Sequence, residues 1–137
     1  MSSEQPALAL EGPRAIVAGH GDFASGLVTA VEQITGRGGV FVPVAVHGLG
    51  VQDIEELIRQ RMIDAGVSVI FTDLAAGSCT MAARRILRGM SEAVLVAGAN
   101  LPMLLDFVFA EHRAAPDAAR HAAERGRASI SVHGGAP

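Results

Sequence analysis

Several residue types are scarce in this sequence, and each scarcity excludes a class of protein. A single cysteine, Cys79, excludes an internal disulfide framework. The chain has no Trp or Tyr and only five Phe residues, so aliphatic, Ala and Gly side chains must fill its core. The longest uncharged apolar stretch covers residues 93–105 and is interrupted by Asn100 and Pro102, so it is too short and too broken to span a bilayer.

Charge is also low and evenly spread. The formal net charge is -3, and the densest basic group, Arg84, Arg85 and Arg88, is interpreted as the solvated face of a helix. Neither nucleic acid nor an anionic membrane surface is therefore indicated as a partner. No basic residue precedes an apolar core in residues 1–10, so no secretory signal is readable and a cytoplasmic location is expected.

Short apolar runs alternate with helical periodicity after residues 1–13, which we expect to be a flexible leader. Four largely apolar runs predict strands at residues 15–19, 40–46, 67–73 and 93–98, the first of them continuously apolar as in a strand buried on both faces. Apolar spacings of three and four residues predict helices after them, the last continuing to about Arg125 with a break near Pro116. The candidate helix caps are Asp22 and Ser78, and the candidate stops are Gly36 and Gly66.

This alternation predicts an α/β fold, with one open parallel sheet and helices on both of its faces. We expect the strand order 2-1-3-4, with Pro43 placing the second strand near an edge. Ligands bind such sheets beyond the carboxyl ends of the strands. Three segments reach that edge: "GHGDFASG" after the first strand, "TDLAAGS" after the third and "AGANLP" after the fourth.

His20, which ends the first strand between Gly19 and Gly21, is the leading candidate for chemistry. A neutral imidazole, with a reference pKa of about 6.5, offers a nucleophilic nitrogen near neutral pH, and the glycines leave room for a large reactant. Asp73 ends the third strand, where its carboxylate can accept a hydrogen bond from one ring nitrogen and leave the other free. Alternatively, His20 is a loop histidine held by the backbone and Asp73 a routine loop residue, so only the pair is a strong signal.

The turn "AAGS", residues 75–78, leads into the third helix. Its backbone N–H groups at Ala76 and Gly77, the helix start and the Ser78 hydroxyl suit a phosphoryl group, although an ordinary capped turn is the alternative. The chain lacks a Gly-rich nucleotide loop with Lys and a G-x-S-x-G elbow. Cys79 is interpreted as a packing residue, and no metal site is expected because the other histidines lack ligand spacing: His47, His112, His121 and His133.

Three stretches together resemble the IIA component of the mannose-family sugar phosphotransferase system: "IVAGHGDFASGL", "VIFTDLAAGSCTMAARRI" and "VLVAGANLPMLLDFV". The resemblance covers about residues 14–130. It implies a phosphocarrier, a phosphotransferase in which His20 takes a phosphoryl group from phospho-HPr and passes it to a IIB component. Asp73 matches the carboxylate that orients the histidine, and Ser78 matches a hydroxyl near the phosphoryl group.

The same resemblance implies an EIIA domain over residues 14–133, a tail at 134–137, no cofactor, and only an indirect link to the membrane components IIC and IID. It adds a fifth, antiparallel strand at residues 128–133, exchanged between the two subunits of a homodimer. Gly126 offers a hinge for that exchange.

The chain departs from the family pattern after Asp73. The family usually has Gly-Gly-Ser/Thr-Pro where this chain reads "AGSC", so Ala76 requires a backbone that is not left-handed, and Cys79 leaves the helix start less pre-organised than Pro would. Two alternatives to the sugar carrier therefore stay open. One is the phosphocarrier subunit of a dihydroxyacetone kinase, against which "ANLPMLLDF" argues, and the other is a non-catalytic sensor whose phosphorylation gates a partner protein.

Overall fold

A computed structural model describes residues 12–136, so nearly all of the leader predicted for residues 1–13 lies outside the described residues. Strands and α-helices alternate along the chain, with one 3₁₀ turn at Gly38–Val40 before the second strand. The elements are β1 (Ala15–Gly19), α1 (Phe23–Thr35), β2 (Phe41–Ala45), α2 (Val51–Ala65), β3 (Val69–Thr72), α3 (Ser78–Gly89), β4 (Val94–Ala97), α4 (Leu101–Phe109) and α5 (Ala115–Ala128). Within the described range, no helix is both long and apolar enough to cross a membrane.

The four strands form one parallel sheet in the order β2-β1-β3-β4, which confirms the predicted topology. Val17 of β1 pairs with Pro43 on one side and with Phe71 on the other. Pro43 lies on the edge strand β2, as predicted, where a residue without a backbone N–H donor is tolerated. All four strands therefore end at the same edge of the sheet, and His20 and Asp73 follow two adjacent strands there.

Both faces of the sheet are covered by helices, because successive side chains of a buried strand point to opposite faces. One face packs against α1, α4 and α5, and its core includes the rings of Phe41, Phe71 and Phe107, whose centroids lie 5.2–6.1 Å apart. The other face, with Ile16 and Ile70 of the strands, packs against α2 and α3. Three of the few aromatic residues thus share one face, and aliphatic residues fill the other.

The predicted helix ends are confirmed in part. Gly36 and Gly66 end α1 and α2 with φ of 72° and 68°, in the left-handed region that favours glycine. Asp22 occupies the cap position of α1, but its side chain makes no capping hydrogen bond. The prediction that Ser78 caps α3 is wrong, because Gly77 takes the cap position and Ser78 is the first helical residue.

The carboxyl-terminal segment also differs from the prediction. Ala128 is the last residue of α5, and residues 130–136 have no regular secondary structure. A strand needs a neighbouring strand for its backbone hydrogen bonds, and in this single chain residues 128–133 pair neither with the free edge of β4 nor with any other described strand. The glycine predicted as a hinge, Gly126, is buried within α5 in this single chain, where an added Cβ would lie 2.8 Å from the Cβ of Met103. Strand exchange between subunits stays a prediction.

Candidate functional site

His20 lies at the carboxyl edge of the sheet, in a tight turn between β1 and α1. The backbone N–H of Phe23 donates to the His20 carbonyl at 3.0 Å and closes this turn. Gly21 has a φ of 51°, which L side chains rarely adopt, so glycine is required at this position. The turn leaves the His20 side chain 61% exposed at the end of a fully buried strand.

Asp73 holds His20 through a single oxygen. Its Oδ2 atom accepts one hydrogen bond from the His20 backbone N–H at 2.8 Å and lies 2.6 Å from Nδ1 of the ring. The Asp73 side chain is only 9% exposed. Burial opposes ionisation of this carboxyl, but the hydrogen bonds from the ring and backbone of His20 outweigh it and hold the pKa of Asp73 below its ordinary value.

This contact assigns the roles of the two ring nitrogens. A carboxylate only accepts hydrogen bonds, so Nδ1 is the donor and, in the neutral ring, Nε2 carries the free lone pair. The second carboxylate oxygen of Asp73, Oδ1, is buried and has no hydrogen-bond partner among the described residues. A buried polar oxygen without a hydrogen-bond donor costs free energy.

Gly19 has a different role from the one expected. A Cβ at this position would lie 2.6 Å from Cδ2 of Phe23 and 3.0 Å from Cγ and Oδ2 of Asp73. The missing side chain therefore makes room for Asp73 to reach His20, rather than for an incoming reactant. Around His20, Gly21 is needed for its backbone conformation and Gly19 for the approach of the carboxylate.

A short hydrogen-bond chain behind the site fixes the backbone that follows β3. The Thr80 hydroxyl donates to the Leu74 carbonyl at 2.6 Å, and the Thr72 hydroxyl lies 2.6 Å from the Thr80 hydroxyl. Since Thr80 uses its proton on Leu74, Thr72 is the donor to Thr80. Both threonines are buried, so the loop carrying Asp73 is tied directly to α3. The sequence analysis missed both residues: Thr72 directly precedes Asp73, but Thr80 lies seven residues after it within α3.

The start of α3 lies beside the imidazole. A Cβ on Gly77 would lie 3.3 Å from Cε1 of His20 and 2.9 Å from Cδ2 of Leu74. Ser78 is half-buried at the first helical position, and Ala76 is exposed in the turn before it. Among the described residues only glycines have positive φ, so the backbone requirement stated for Ala76 is met.

Cys79 is a packing residue, as expected. It is fully buried in the core beneath α3. Burial, with a smaller contribution from the charge of Asp73, raises the pKa of the Cys79 thiol to about 11. The thiol is therefore neutral at physiological pH and poorly suited to act as a nucleophile.

Asn100, in the third predicted segment, serves the packing of helices. The Asn100 side chain accepts a hydrogen bond from the Met103 N–H at 3.0 Å, which caps α4, and donates to the Gly126 carbonyl of α5 at 3.0 Å. None of its hydrogen bonds goes to His20 or Asp73. Asn100 therefore ties α4 to α5 and is not part of the site.

A second histidine–aspartate pair lies away from this edge of the sheet and was missed by the sequence analysis. Nδ1 of His121, in α5, lies 2.7 Å from Oδ2 of Asp106, in α4. The two residues are fifteen positions apart on different helices, a spacing that carries no recognisable signal. The remaining histidines are exposed: His47, His112 and His133. Residues 12–136 contain no group of three His, Cys, Asp or Glu side chains placed to hold a metal ion.

Comparisons with known proteins agree on one family. The model of the family described as PTS system fructose IIA component, where PTS denotes the sugar phosphotransferase system, matches residues 14–124. A search of curated proteins found no match to this sequence.

Solved structures with the same fold are similar to this chain over most of its length. The mannose/sorbose-specific IIA subunit of the phosphotransferase system from Enterococcus faecalis has a TM-score of 0.77 at 18% identity. The similarity covers 92% of this chain and 98% of that subunit. The phosphotransferase system component EIIA from Streptococcus agalactiae has a TM-score of 0.76 at 20% identity, with 87% and 95% covered. A PTS IIA protein associated with the fucose utilization operon of Streptococcus pneumoniae has a TM-score of 0.68 at 19% identity, with 88% and 93% covered.

Proposed function

Because the chain belongs to the family of PTS system fructose IIA components, and is thus a component of the sugar phosphotransferase system, we propose that it is a phosphocarrier. His20 accepts a phosphoryl group from phospho-HPr and passes it to a IIB component, so the chain acts as a phosphotransferase with a phosphohistidine intermediate. The observation that carries this proposal is the 2.6 Å contact between the exposed His20 ring and the buried Asp73 carboxylate. The relay uses no metal or cofactor in this scheme.

The chemical step is a nucleophilic substitution at phosphorus. The Nε2 lone pair of His20 attacks the phosphorus atom of the donor, and the bond from phosphorus to the donor breaks with its electron pair staying on the donor. Nδ1 keeps its proton throughout, so the phosphorylated ring becomes an imidazolium. The Asp73 carboxylate, 2.6 Å from Nδ1, stabilises this positive charge. Transfer to the IIB component reverses the step, and the electron pair of the P–N bond returns to Nε2.

The start of α3 is proposed to hold the phosphoryl oxygens. Helix starts carry N–H groups without intrahelical partners and a partial positive charge, which favour a phosphoryl group. The backbone N–H of Ala76 and the hydroxyl of Ser78 are the donors we assign to this role, joined by the N–H of Gly77 when it leaves the Leu74 carbonyl, to which it donates at 3.3 Å in this structure. The position that a Cβ on Gly77 would occupy lies 3.3 Å from Cε1 of His20, which supports the assignment because it brings this helix start to the reacting ring.

We further propose that the functional unit is one EIIA domain, residues 14–133, acting in the cytoplasm as a homodimer with an indirect link to membrane components IIC and IID. Ile130 and Val132 are exposed in the single chain, beyond the end of α5. An exchange of residues 128–133 with a second copy would cover these apolar side chains and pair their backbone. Light scattering tests this: a dimer is expected, and a monomer contradicts the exchange.

The phosphocarrier proposal is tested by incubating the chain with phosphoenolpyruvate, enzyme I and HPr from the same organism and measuring its intact mass. One acid-labile, base-stable addition of about 80 Da, the mass of one phosphoryl group, is expected. Adding the IIB component must then remove the label. A label that stays on the chain favours the sensor, and a label taken only from the donor of a dihydroxyacetone kinase favours that system. No label from either donor contradicts the proposal.

A further inference from the structure

The Leu74 carbonyl, which directly follows Asp73, accepts two hydrogen bonds of unequal strength. The Thr80 hydroxyl donates to it at 2.6 Å, and the Gly77 N–H donates to it at 3.3 Å. The second bond is longer than the usual limit of about 3.2 Å for an N–H donor. A carbonyl oxygen has two lone pairs, so it accepts both donors at once. Gly77 is therefore the weakly held donor of the two.

The Thr80 hydroxyl does not make the hydrogen bond that is common for a threonine in a helix. Thr29 and Thr35 of α1 each donate to the carbonyl four residues earlier, within their own helix. Thr80 lies in the first turn of α3, and its hydroxyl instead reaches Leu74, which is six residues earlier and outside the helix. This hydrogen bond therefore holds the loop before α3 rather than the helix itself.

The Thr80 side chain is itself fixed by the sheet. Thr72 of β3 and Thr80 are 0% and 1% exposed, and their hydroxyl oxygens lie 2.6 Å apart. Because the Thr72 hydroxyl donates to Thr80, the proton of Thr80 is directed at the Leu74 carbonyl. Two buried side chains thus connect this carbonyl to the sheet, and water has no access to the connection.

The weakly held donor lies beside the imidazole. A Cβ on Gly77 would lie 3.3 Å from Cε1 of His20, the ring carbon that is bonded to both ring nitrogens. Nε2, which carries the phosphoryl group in the proposed function, is thus one bond away from the atom that Gly77 approaches. A rotation of the peptide group between Ala76 and Gly77 moves the Gly77 N–H off the Leu74 carbonyl and frees it for another acceptor.

We propose that Thr80 is a positioning residue: its hydroxyl keeps the Leu74 carbonyl paired, so that the Gly77 N–H can move from this carbonyl to an oxygen of the incoming phosphoryl group. This inference rests on the proposed function and adds a residue that acts through the loop without touching the phosphoryl group. A carbonyl left without a donor costs free energy, and the Thr80 hydroxyl removes that cost from the exchange. Without this hydroxyl, Gly77 is the only described donor to Leu74 and stays on it.

The test follows the backbone amide of Gly77 by NMR before and after phosphorylation with phosphoenolpyruvate, enzyme I and HPr. An amide proton that gains a charged acceptor moves downfield, so we expect a downfield shift in the wild type. Thr80→Val replaces the hydroxyl with a methyl group and should lose most of this shift, whereas Thr80→Ser keeps the hydroxyl and should restore it.

Thr35→Val is the matched control, and it should show the wild-type shift of Gly77. The Thr35 hydroxyl also donates to a carbonyl, that of Val31 at 2.8 Å, and also accepts a hydrogen bond, from the Arg37 N–H at 3.0 Å. It lies at the far end of α1 from His20, so its loss removes a comparable pair of hydrogen bonds without reaching the loop after Asp73. The same spectra show whether each variant is folded.

The rate of phosphoryl uptake is the second measurement. In Thr80→Val, kcat for uptake from phospho-HPr should fall roughly tenfold, the loss expected for one hydrogen bond to a charged group. The KM for phospho-HPr should stay unchanged, because Thr80 is buried and offers a docking protein no contact. Thr80→Ser should recover most of the rate, and Thr35→Val should match the wild type.

The outcomes separate this inference from the proposed function. A Gly77 amide that does not move in the phosphorylated wild type overturns the inference without the need for any folded variant. Equal shifts and equal rates in the wild type and a folded Thr80→Val overturn it as well, and both results leave the phosphocarrier standing. A wild-type chain that takes up no phosphoryl group overturns both proposals.

Discussion

Two histidine–aspartate pairs in this chain share almost the same side-chain contact but differ in their surroundings. Nδ1 lies 2.6 Å from the carboxylate in the pair His20–Asp73 and 2.7 Å in the pair His121–Asp106. Asp73 also accepts the backbone N–H of His20 and is 9% exposed. Asp106 is 20% exposed and has an arginine nearby, since Arg125 lies 3.8 Å from its other oxygen.

The two pairs differ more in their backbone surroundings than in their side-chain contacts. His20 occupies a turn after a buried strand, with the start of α3 beside its ring. His121 lies in the middle of α5, where the helix's own hydrogen bonds use the neighbouring N–H groups. The comparison teaches that a carboxylate can orient an imidazole at many places. A phosphoryl group also needs free donors nearby, and only the His20 pair offers a helix start.

Short of removing the His20 imidazole itself, the largest effect is expected from removing one carboxylate charge. Asp73→Asn keeps a hydrogen-bonding side chain but no longer stabilises the imidazolium that forms on transfer, so phosphoryl uptake from phospho-HPr should slow about 10²-fold or more. Asp106→Asn is the matched control and should leave the rate unchanged. Rapid-quench intact mass measures both rates. If the two variants lose the same activity, the proposed difference between the pairs is wrong.

A smaller effect is expected from the hydrogen-bond chain behind Asp73. Thr80→Val keeps the shape of the side chain but leaves the Leu74 carbonyl and the Thr72 hydroxyl without their partner, which should lower the free energy of unfolding by about 1–3 kcal/mol. Thr29→Val, on the exposed surface of α1, is the control and should cost no more than about 0.5 kcal/mol. Urea unfolding measures the free energy of unfolding of both variants. Equal losses would contradict the stabilising role assigned to the Thr80 hydroxyl.

The smallest effect concerns stability in acid. The folded-state pKa of Asp73 is below the unfolded value near 3.8, because the hydrogen bonds from His20 outweigh burial. The ionised carboxylate therefore contributes stability that is present above the unfolded pKa and is lost as the pH falls through the folded pKa. Between pH 5 and the acid limit, the wild type should lose unfolding free energy more steeply than Asp73→Asn. Parallel pH profiles for the two proteins would show that Asp73 contributes no such linkage.

Much of the fold was predictable from the sequence. The four apolar runs and the helical spacing between them gave strands and helices close to the observed bounds, and Pro43 indicated the edge strand. The conformation of residues 128–133 was not predictable in the same way. Their alternating pattern favours a strand, but a strand forms only where a neighbour offers its backbone, and that depends on tertiary or quaternary contacts.

For the site, the sequence was enough to predict which segments lie next to each other. The carboxyl ends of adjacent parallel strands lie at one edge, so His20 and Asp73 were expected to be neighbours, and the structure places them in contact. The pair His121–Asp106 and the role of Thr80 depend on how helices pack, which no spacing along the chain encodes. Gly19 was correctly singled out for lacking a side chain, but only the structure identifies Phe23 and Asp73 as the groups that fill the space.

The most direct test of the central claim is the intact mass of His20→Ala and His121→Ala after incubation with phosphoenolpyruvate, enzyme I and HPr. Each substitution removes the imidazole from one of the two pairs. We predict that His121→Ala gains about 80 Da, as the wild type does, and that His20→Ala gains nothing. Uptake by His20→Ala, or its loss in a folded His121→Ala, would contradict the assignment of His20 as the phosphoryl-carrying residue.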